Sequence, residues 1–239
     1  MDGQAISESV LSDALDRVRE GIAAACHRSG RTADSVTLVA VTKSFPVEVV
    51  QTAAALGLED FGENHAGELA AKSAVVRARW HFLGKLQAGT APRVADHANV
   101  IHSGEPGRGL ARVAHRVARA GTRIPCLVQV DFTGQRQGVD PDDLEHAVQD
   151  ISELNGIDVV GLMTLPPWTE DPEATRAFFR RLRELRDRLR TDHPSIVDLS
   201  MGMSHDYEVA VEEGATMVRV GTALFGVRPR GRPAPRVEG

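Results

Sequence analysis

Short apolar runs alternate with amphipathic segments eight times between residues 36 and 220. Val, Ile and Leu dominate the runs, as is typical of strands buried on both faces of a parallel sheet. The segments between them repeat apolar residues at helical spacing, most clearly over residues 171–190, and the seventh strand is expected at residues 196–201. Eight such units within 239 residues predict an α/β fold, a single TIM-type (β/α)8 barrel. An open doubly wound sheet is the alternative, although no G-x-G-x-x-G follows the first run.

Three parts of the chain are distinguished by this pattern. Residues 1–35 precede the first strand and contain an extra N-terminal helix, which we expect to pack on the barrel. The apolar residues of that helix form one stripe: Val10, Leu11, Leu15, Val18 and Ile22. Residues 36–227 are the predicted barrel domain. Residues 228–239 are rich in Arg and Pro and predict a disordered C-terminal tail.

Composition excludes several classes of protein. The net charge of -5 and the pI near 6.0 argue against nucleic-acid binding, which favours a basic surface. No apolar run reaches the length of a membrane helix and no leader pattern is present, so we expect a cytoplasmic protein with no membrane contact. Cys26 and Cys126 have neither metal-ligand nor disulfide spacing, and no metal site is predicted. Scattered charge favours a monomer.

A lysine ends the first apolar run. Residues 36–41 are followed by Thr42 and Lys43, and Pro46 is tolerated where the next helix begins. The C-terminal ends of barrel strands carry the chemistry in such folds. Apolar surroundings disfavour the charged form of an amine, so the pKa of Lys43 is expected to fall and its amine to become a usable nucleophile, as in a Schiff-base lysine. The alternative is a lysine whose amine extends to solvent at the strand end.

Two neighbouring loops have the composition of a phosphate site. The seventh strand is followed by Gly202 and Ser204, and the eighth by Gly221 and Thr222. Barrels often bind phosphate at the loops after strands seven and eight, where glycine admits backbone N–H groups and hydroxyls donate to the anion. The alternative is that these residues only form turns and helix caps.

Arg219 interrupts the apolar eighth strand, and a buried arginine must be paired or hydrogen-bonded. It is either one half of an ion pair inside the barrel, for which Glu63 is a candidate partner, or a donor to a ring nitrogen. A nucleophilic lysine, a phosphate loop and a charged partner for a pyridine nitrogen together match the demands of pyridoxal 5'-phosphate (PLP).

Several segments resemble the YggS/PROSC family, the pyridoxal phosphate homeostasis proteins. They are LVAVTK at 38–43, FGEN at 61–64, WHFLGKLQ at 80–87, GLMT at 161–164 and LSMGMSHDYEVAVEEGATMVRVGTALFG at 199–226. The resemblance implies the barrel of the alanine racemase N-terminal domain. It also implies covalent PLP binding and a role in vitamin B6 and amino-acid homeostasis, without a settled catalytic activity. PLP-dependent apo-enzymes are the macromolecular partners that such a role implies.

The same resemblance assigns roles to individual residues. Lys43 becomes the lysine that holds PLP, and Arg219 the partner of the pyridine nitrogen. The residues expected to hold the phosphate, with two more nearby, are Ser204, Gly221, Thr222, Ser200 and Asn64. Two loops depart from the family pattern: Gly89 and Thr90 replace an asparagine and a lysine, and Gln135, Arg136 and Gln137 replace an acidic residue and a lysine before Gly138.

Two other functions remain open at this point. A PLP-dependent amino-acid racemase needs an acid and a base on opposite faces of the substrate carbon. In alanine racemases a tyrosine of a second domain serves one face, and Tyr207, the sole tyrosine here, or His81 would have to replace it. A barrel that binds another phosphorylated ligand is the third hypothesis, but it gives Lys43 no role.

Overall fold

A computed structural model describes residues 6–227 of the chain. Eight parallel strands pair in sequence order and close into a barrel, which confirms the predicted fold. The strands are β1 (Thr37–Val41), β2 (Asp60–Glu63), β3 (Arg79–Phe82), β4 (Val100–Gly104), β5 (Ile124–Val130), β6 (Ile157–Thr164), β7 (Asp198–Met203) and β8 (Met217–Val220).

Helices cover the outside of this barrel. They are α1 (Glu8–Arg28), α2 (Val47–Ala55), α3 (Ala66–Ser73), α4 (Ala91–His97), α5 (Arg108–Arg119), α6 (Leu144–Ser152), α7 (Arg176–Leu189), α8 (Tyr207–Glu212) and α9 (Thr222–Phe225). Short 3-10 turns lie at Ala33–Ser35, Pro141–Asp143 and Pro172–Thr175.

The N-terminal helix α1 packs on the side of the barrel against α8 and α9. The Ser7 side chain caps it by accepting from the backbone N–H of Val10, and Glu8 and Arg28 complement the helix dipole at its two ends. Its buried stripe includes Leu11, Leu15, Val18 and Ile22, as predicted, whereas Val10 is exposed. The predicted tail at residues 228–239 lies outside the described residues.

The bounds of a helix and of a strand in the C-terminal half differ from the sequence expectation. The helix expected over residues 171–190 begins only at Arg176, because Asp171 caps a 3-10 turn that contains Pro172. The seventh strand occupies Asp198–Met203 rather than residues 196–201. Gly202 extends it through a bulge with φ of +88°, a conformation that suits glycine.

The apolar core has two layers. A large cluster fills the space between the strands and the helices. A small cluster of Val100, Leu127 and Met163 comes from the strands alone and fills part of the barrel interior. Within residues 6–227, no helix is long and apolar enough to span a membrane.

Candidate functional site

The strand registers bring the predicted site residues to one mouth of the barrel. Val41 of β1 lies opposite Gly62 of β2. Lys43 and Asn64, each two residues further on, therefore leave the barrel on neighbouring strands. Arg219 lies in β8, which pairs with the other edge of β1. Closure of the barrel thus places the lysine between the asparagine and the arginine.

A cavity of about 590 Å³ opens at this mouth. Six of the predicted site residues line it: Lys43, Asn64, Ser204, Arg219, Gly221 and Thr222. The seventh, Ser200, is fully buried and lies behind Arg219, which it contacts through a hydrogen bond, rather than at the cavity wall. A volume of this size is ordinary for a small-molecule site.

The loop that carries Lys43 is held in an uncommon conformation. Ser44 has φ of +68°, a value that few residues other than glycine adopt. Its backbone N–H donates to Glu68 Oε2 of α3 across 2.8 Å. This bond offsets the cost of the strained turn and fixes the direction in which half-buried Lys43 leaves β1.

A buried ion cluster supports the same loop from below. Lys72 Nζ donates to Glu63 Oε1, to Glu68 Oε2 and to the backbone oxygen of Thr42, at 2.6, 2.8 and 2.8 Å respectively. Thr42 Oγ1 also donates to Glu63. Burial raises the pKa of Glu63, and the ammonium of Lys72 opposes that rise. Lys72 had no predicted role, although its four-residue spacing from Glu68 is visible in the sequence.

The loop after β7 is tied to the loop after β8 by one hydroxyl. Ser204 Oγ lies 3.1 Å from the backbone nitrogens of both Gly221 and Ala223 and accepts from both. Asp206 fixes the preceding turn by accepting from the backbone N–H of Met203 at 2.6 Å. These bonds occupy the two backbone N–H groups and leave the Ser204 hydroxyl proton available at one side of the cavity, where it can donate to an anion.

Arg219 is 4% exposed and reaches the cavity from within the barrel. Its guanidinium donates to Ser200 Oγ and, across 2.9 Å, to the backbone oxygen of Thr164. Burial lowers the pKa of Arg219 to about 10, and the nearby Asp206 carboxylate opposes the shift. The suggested ion pair with Glu63 is wrong, because Glu63 lies at the end of β2 and is paired with Lys72.

Asn64 presents a buried acceptor at the cavity. Its Oδ1 atom has no hydrogen-bond partner within the described part of the chain. The Asn64 backbone packs closely on Gly84, since a Cβ on Gly84 would lie 1.9 Å from the Asn64 backbone oxygen. Such an unpartnered buried oxygen costs free energy unless a ligand supplies a donor.

Sequence reasoning missed the apolar and aromatic wall of the cavity. Leu83, Met163 and Leu165 line it, and Trp168 stands at the rim with 72% of its surface exposed. The Trp168 ring stacks on His205, with centroids 6.3 Å apart. Trp168, one of two tryptophans in the sequence, was the signal that could have indicated this wall.

The two loops that depart from the family pattern do not line the cavity. Thr90 Oγ1 donates to the Gln87 backbone oxygen just before α4, and Gly89 beside it is exposed. In the loop after β5, Asp131 accepts from the backbone N–H of Arg136 at 2.7 Å. Both replacements therefore lie beyond the wall that contains Lys43.

Comparison with known proteins places this barrel in a class. Residues 14–229 match the family model described as alanine racemase, N-terminal domain. The match spans most of the chain, so the protein belongs to the alanine racemase N-terminal-domain barrels.

The more specific family follows from individual relatives. A pyridoxal phosphate homeostasis protein of Aquifex aeolicus is 39% identical over 220 residues, covering 90% of this chain and 96% of the relative. One from Pseudomonas aeruginosa is 36% identical over 231 residues, covering 95% and 99%. The chain belongs to the pyridoxal phosphate homeostasis protein family.

A solved structure shares the complete fold. PipY of Synechococcus elongatus, described with PLP bound, superposes with a TM-score of 0.80 at 33% identity. The superposition covers 90% of this chain and 100% of PipY.

Proposed function

We propose that this protein binds PLP covalently at Lys43 and serves intracellular vitamin B6 homeostasis, with little or no turnover. The observation that carries the proposal is a single cavity lined by Lys43, Ser204 and Arg219. An amine, an anion-binding loop and a guanidinium match the aldehyde, the phosphate and the ring nitrogen of PLP. Relatives named for PLP homeostasis and a PLP-bound neighbour support the same assignment.

The residues present fit the cofactor. Asn64 offers a buried oxygen that has no donor among residues 6–227, and a ligand hydroxyl can supply one. Ser204 keeps its hydroxyl proton available, because its oxygen already accepts from two backbone N–H groups. Thr222, exposed at the cavity edge beside Gly221, provides a second hydroxyl. Ser200 acts through Arg219 and makes no direct contact in this proposal.

PLP supplies an aldehyde that condenses with a primary amine, and a ring that withdraws electrons. Lys43 provides the amine, held by the braced loop after β1. Arg219 donates a hydrogen bond to the ring nitrogen and keeps its own proton, because a guanidinium remains protonated at neutral pH. A ring nitrogen that receives only a hydrogen bond attracts electrons less than a protonated one, which favours holding the cofactor over turnover.

The racemase alternative is not favoured by the geometry around its proposed second base. The Tyr207 hydroxyl packs on α1, where a Cβ placed on Gly21 would lie 2.2 Å from it. Tyr207 does not line the cavity that contains Lys43. His81 is fully buried and bonded to Asp60 and His102. Neither side chain faces the amine of Lys43 as a second acid or base.

A holding role implies that the cofactor is passed on. We propose PLP-dependent apo-enzymes as recipients and a monomer as the working form, because the exposed large apolar side chains of the described chain are scattered rather than clustered. Cys26 and Cys126 are free and buried, which suits the reducing cytoplasm.

The test uses the fact that the sequence contains three lysines: Lys43, Lys72 and Lys85. Purified protein loaded with PLP is reduced with borohydride, and the labelled peptide is mapped. We expect a visible absorbance band that disappears on reduction, with the label on Lys43. Lys43→Ala should abolish the label and preserve the fold, whereas exposed Lys85→Ala should retain both.

Three outcomes contradict the proposal. A label on Lys72, Lys85 or the N-terminal amine would assign covalent binding to another amine. A protein that stays colourless with added PLP would favour the third hypothesis, a different phosphorylated ligand. Racemisation of amino acids by the loaded protein, lost in Lys43→Ala, would instead restore the racemase alternative.

A further inference from the structure

A continuous chain of buried polar side chains crosses the barrel interior to Arg219. Asp60 Oδ1 lies 2.7 Å from His81 Nε2, and His81 Nδ1 lies 2.8 Å from His102 Nε2. His102 Nδ1 lies 2.8 Å from Ser200 Oγ, which accepts from Arg219. Four hydrogen bonds thus connect a carboxylate to the guanidinium at the cavity.

Asp60 and Arg219, the two ends of this hydrogen-bonded series of side chains, lie at opposite ends of the barrel. Asp60 is the first residue of β2, and its side chain is 19% exposed. Arg219 lines the cavity at the mouth. Between them, His81, His102 and Ser200 belong to β3, β4 and β7 and are each 0% exposed. Buried histidines without a partner are costly, so this arrangement depends on every bond being made.

The two end groups of the series, the Asp60 carboxylate and the Arg219 guanidinium, determine which atom donates in every hydrogen bond between them. A guanidinium can only donate and a carboxylate can only accept. If both rings are neutral, Ser200 accepts from Arg219 and donates to His102 Nδ1. His102 then donates from Nε2 to His81, and His81 donates from Nε2 to Asp60. Both histidines are therefore assigned as the Nε2–H tautomer.

The reversed order needs an additional proton. If His102 donated from Nδ1 to Ser200, then His81 would have to donate from Nδ1 to His102. The second nitrogen of a neutral His81 would then face the Asp60 carboxylate as an acceptor, and two acceptors repel. Burial lowers the pKa of both histidines, which favours the neutral and directed arrangement.

We propose that His81, His102 and Ser200 are positioning residues that connect the charge of Asp60 to the guanidinium of Arg219. Through these residues, Asp60 strengthens the hydrogen bond from Arg219 to Ser200. The bond in turn orients the Arg219 guanidinium, which would donate to the ring nitrogen of PLP. This inference rests on the proposed function. Hydrogen-bonded chains polarise one another, so a charge at one end changes the acceptor strength at the other.

Within residues 6–227, few other charged groups lie near this hydrogen-bonded series. Arg79 Nε lies 3.9 Å from Asp60 Oδ1 and partly neutralises it. Asp206, buried just after β7, acts on Arg219 directly and is not bonded to the series. Any effect of Asp60 on the cofactor must therefore be separated from a general change in surface charge, which determines the control.

The first experiment needs no cofactor. Nitrogen-15 NMR of the full-length protein without PLP reports the tautomer of each ring, with His81 and His102 assigned by their replacement with glutamine. We expect Nε2–H for both rings at neutral pH. An Nδ1–H form of either ring would contradict the assigned direction of the hydrogen bonds and overturn the proposal. A protein that fails to bind PLP leaves this measurement valid, so the two proposals fail separately.

The second experiment uses the PLP-loaded protein. Asp60→Asn keeps an acceptor for His81 but removes the charge. Asp158→Asn is the control, since Asp158 is the second residue of β6 and pairs with exposed Arg123. The visible band is recorded against pH. We expect Asp60→Asn to move the pH midpoint of the band by about half a unit, a modest shift for a remote charge, and the control to match the wild type. If Asp60→Asn lowers the melting temperature but leaves the pH midpoint of the visible band unchanged, the hydrogen-bonded series has only a structural role and the proposal is overturned.

Discussion

Lys72 Nζ lies 2.6 Å from Glu63 Oε1, and the two side chains are 5% and 0% exposed. The pair lies beneath the loop that carries Lys43, and Lys72 also bonds the backbone oxygen of Thr42. A buried ion pair of this kind gives little net stability by itself. Its importance here is geometric, because it connects β1, β2 and α3 at the mouth of the barrel.

Replacement of Lys72 should be severe for the fold. Lys72→Met leaves Glu63 buried without its cation, and breaking one side of such a pair costs about 3–5 kcal/mol of unfolding free energy. Denaturant unfolding measures the loss, and Lys85→Met is the matched control at an exposed lysine. The double variant Lys72→Met, Glu63→Gln should recover part of it. Equal stability of the single variant and the control would contradict this account.

Removal of the Ser204 hydroxyl should weaken cofactor binding more than folding. Ser204→Ala deletes the acceptor for Gly221 and Ala223 and one donor for the phosphate. A loss of about 1.4 kcal/mol, a tenfold rise in the Kd for PLP, is expected from such a bond. Absorbance titration measures the Kd. Ser195→Ala, at an exposed serine bonded to the Val159 oxygen, should bind as the wild type does. A similar Kd for both variants would remove Ser204 from the site.

Mild acid should destabilise the protein through the buried histidines. Burial holds the pKa of His81 and His102 below the usual value, so the unfolded chain binds protons that the native state excludes. Asp60 opposes the shift at His81, while Arg79 favours it at both rings and Arg219 at His102. Their stability contribution is therefore complete above about pH 6.5 and is lost as the pH falls, by up to about 1.4 kcal/mol per unit for each ring.

Unfolding in denaturant at pH 7.5 and at pH 5.5 measures this loss. In His102→Gln, the difference in unfolding free energy between the two conditions should shrink by about 1 kcal/mol relative to the wild type. His146→Gln is the control, since His146 is exposed on α6. An unchanged pH dependence in His102→Gln would mean that the buried ring accepts a proton without cost.

Local patterns were sufficient for the order of the elements. Period and composition predicted eight strands between residues 36 and 220, and the described residues form eight strands there. The lysine at the end of β1 and the two glycine-hydroxyl loops could be identified because the C-terminal strand ends of a closed parallel barrel converge on one mouth. The predicted bounds were wrong where Asp171 caps a 3-10 turn before α7, and where Gly202 forms a bulge in β7.

Contacts between strands far apart in the sequence required the tertiary structure. The sequence determined that this chain forms a barrel and that Lys43 stands at its mouth. The structure decided that Arg219 rests on Ser200 rather than on Glu63, and that His81 and His102 join it to Asp60. The physical reason is that hydrophobic periodicity specifies which face of a strand is buried, whereas the pairing of buried polar groups depends on the register and closure of all eight strands.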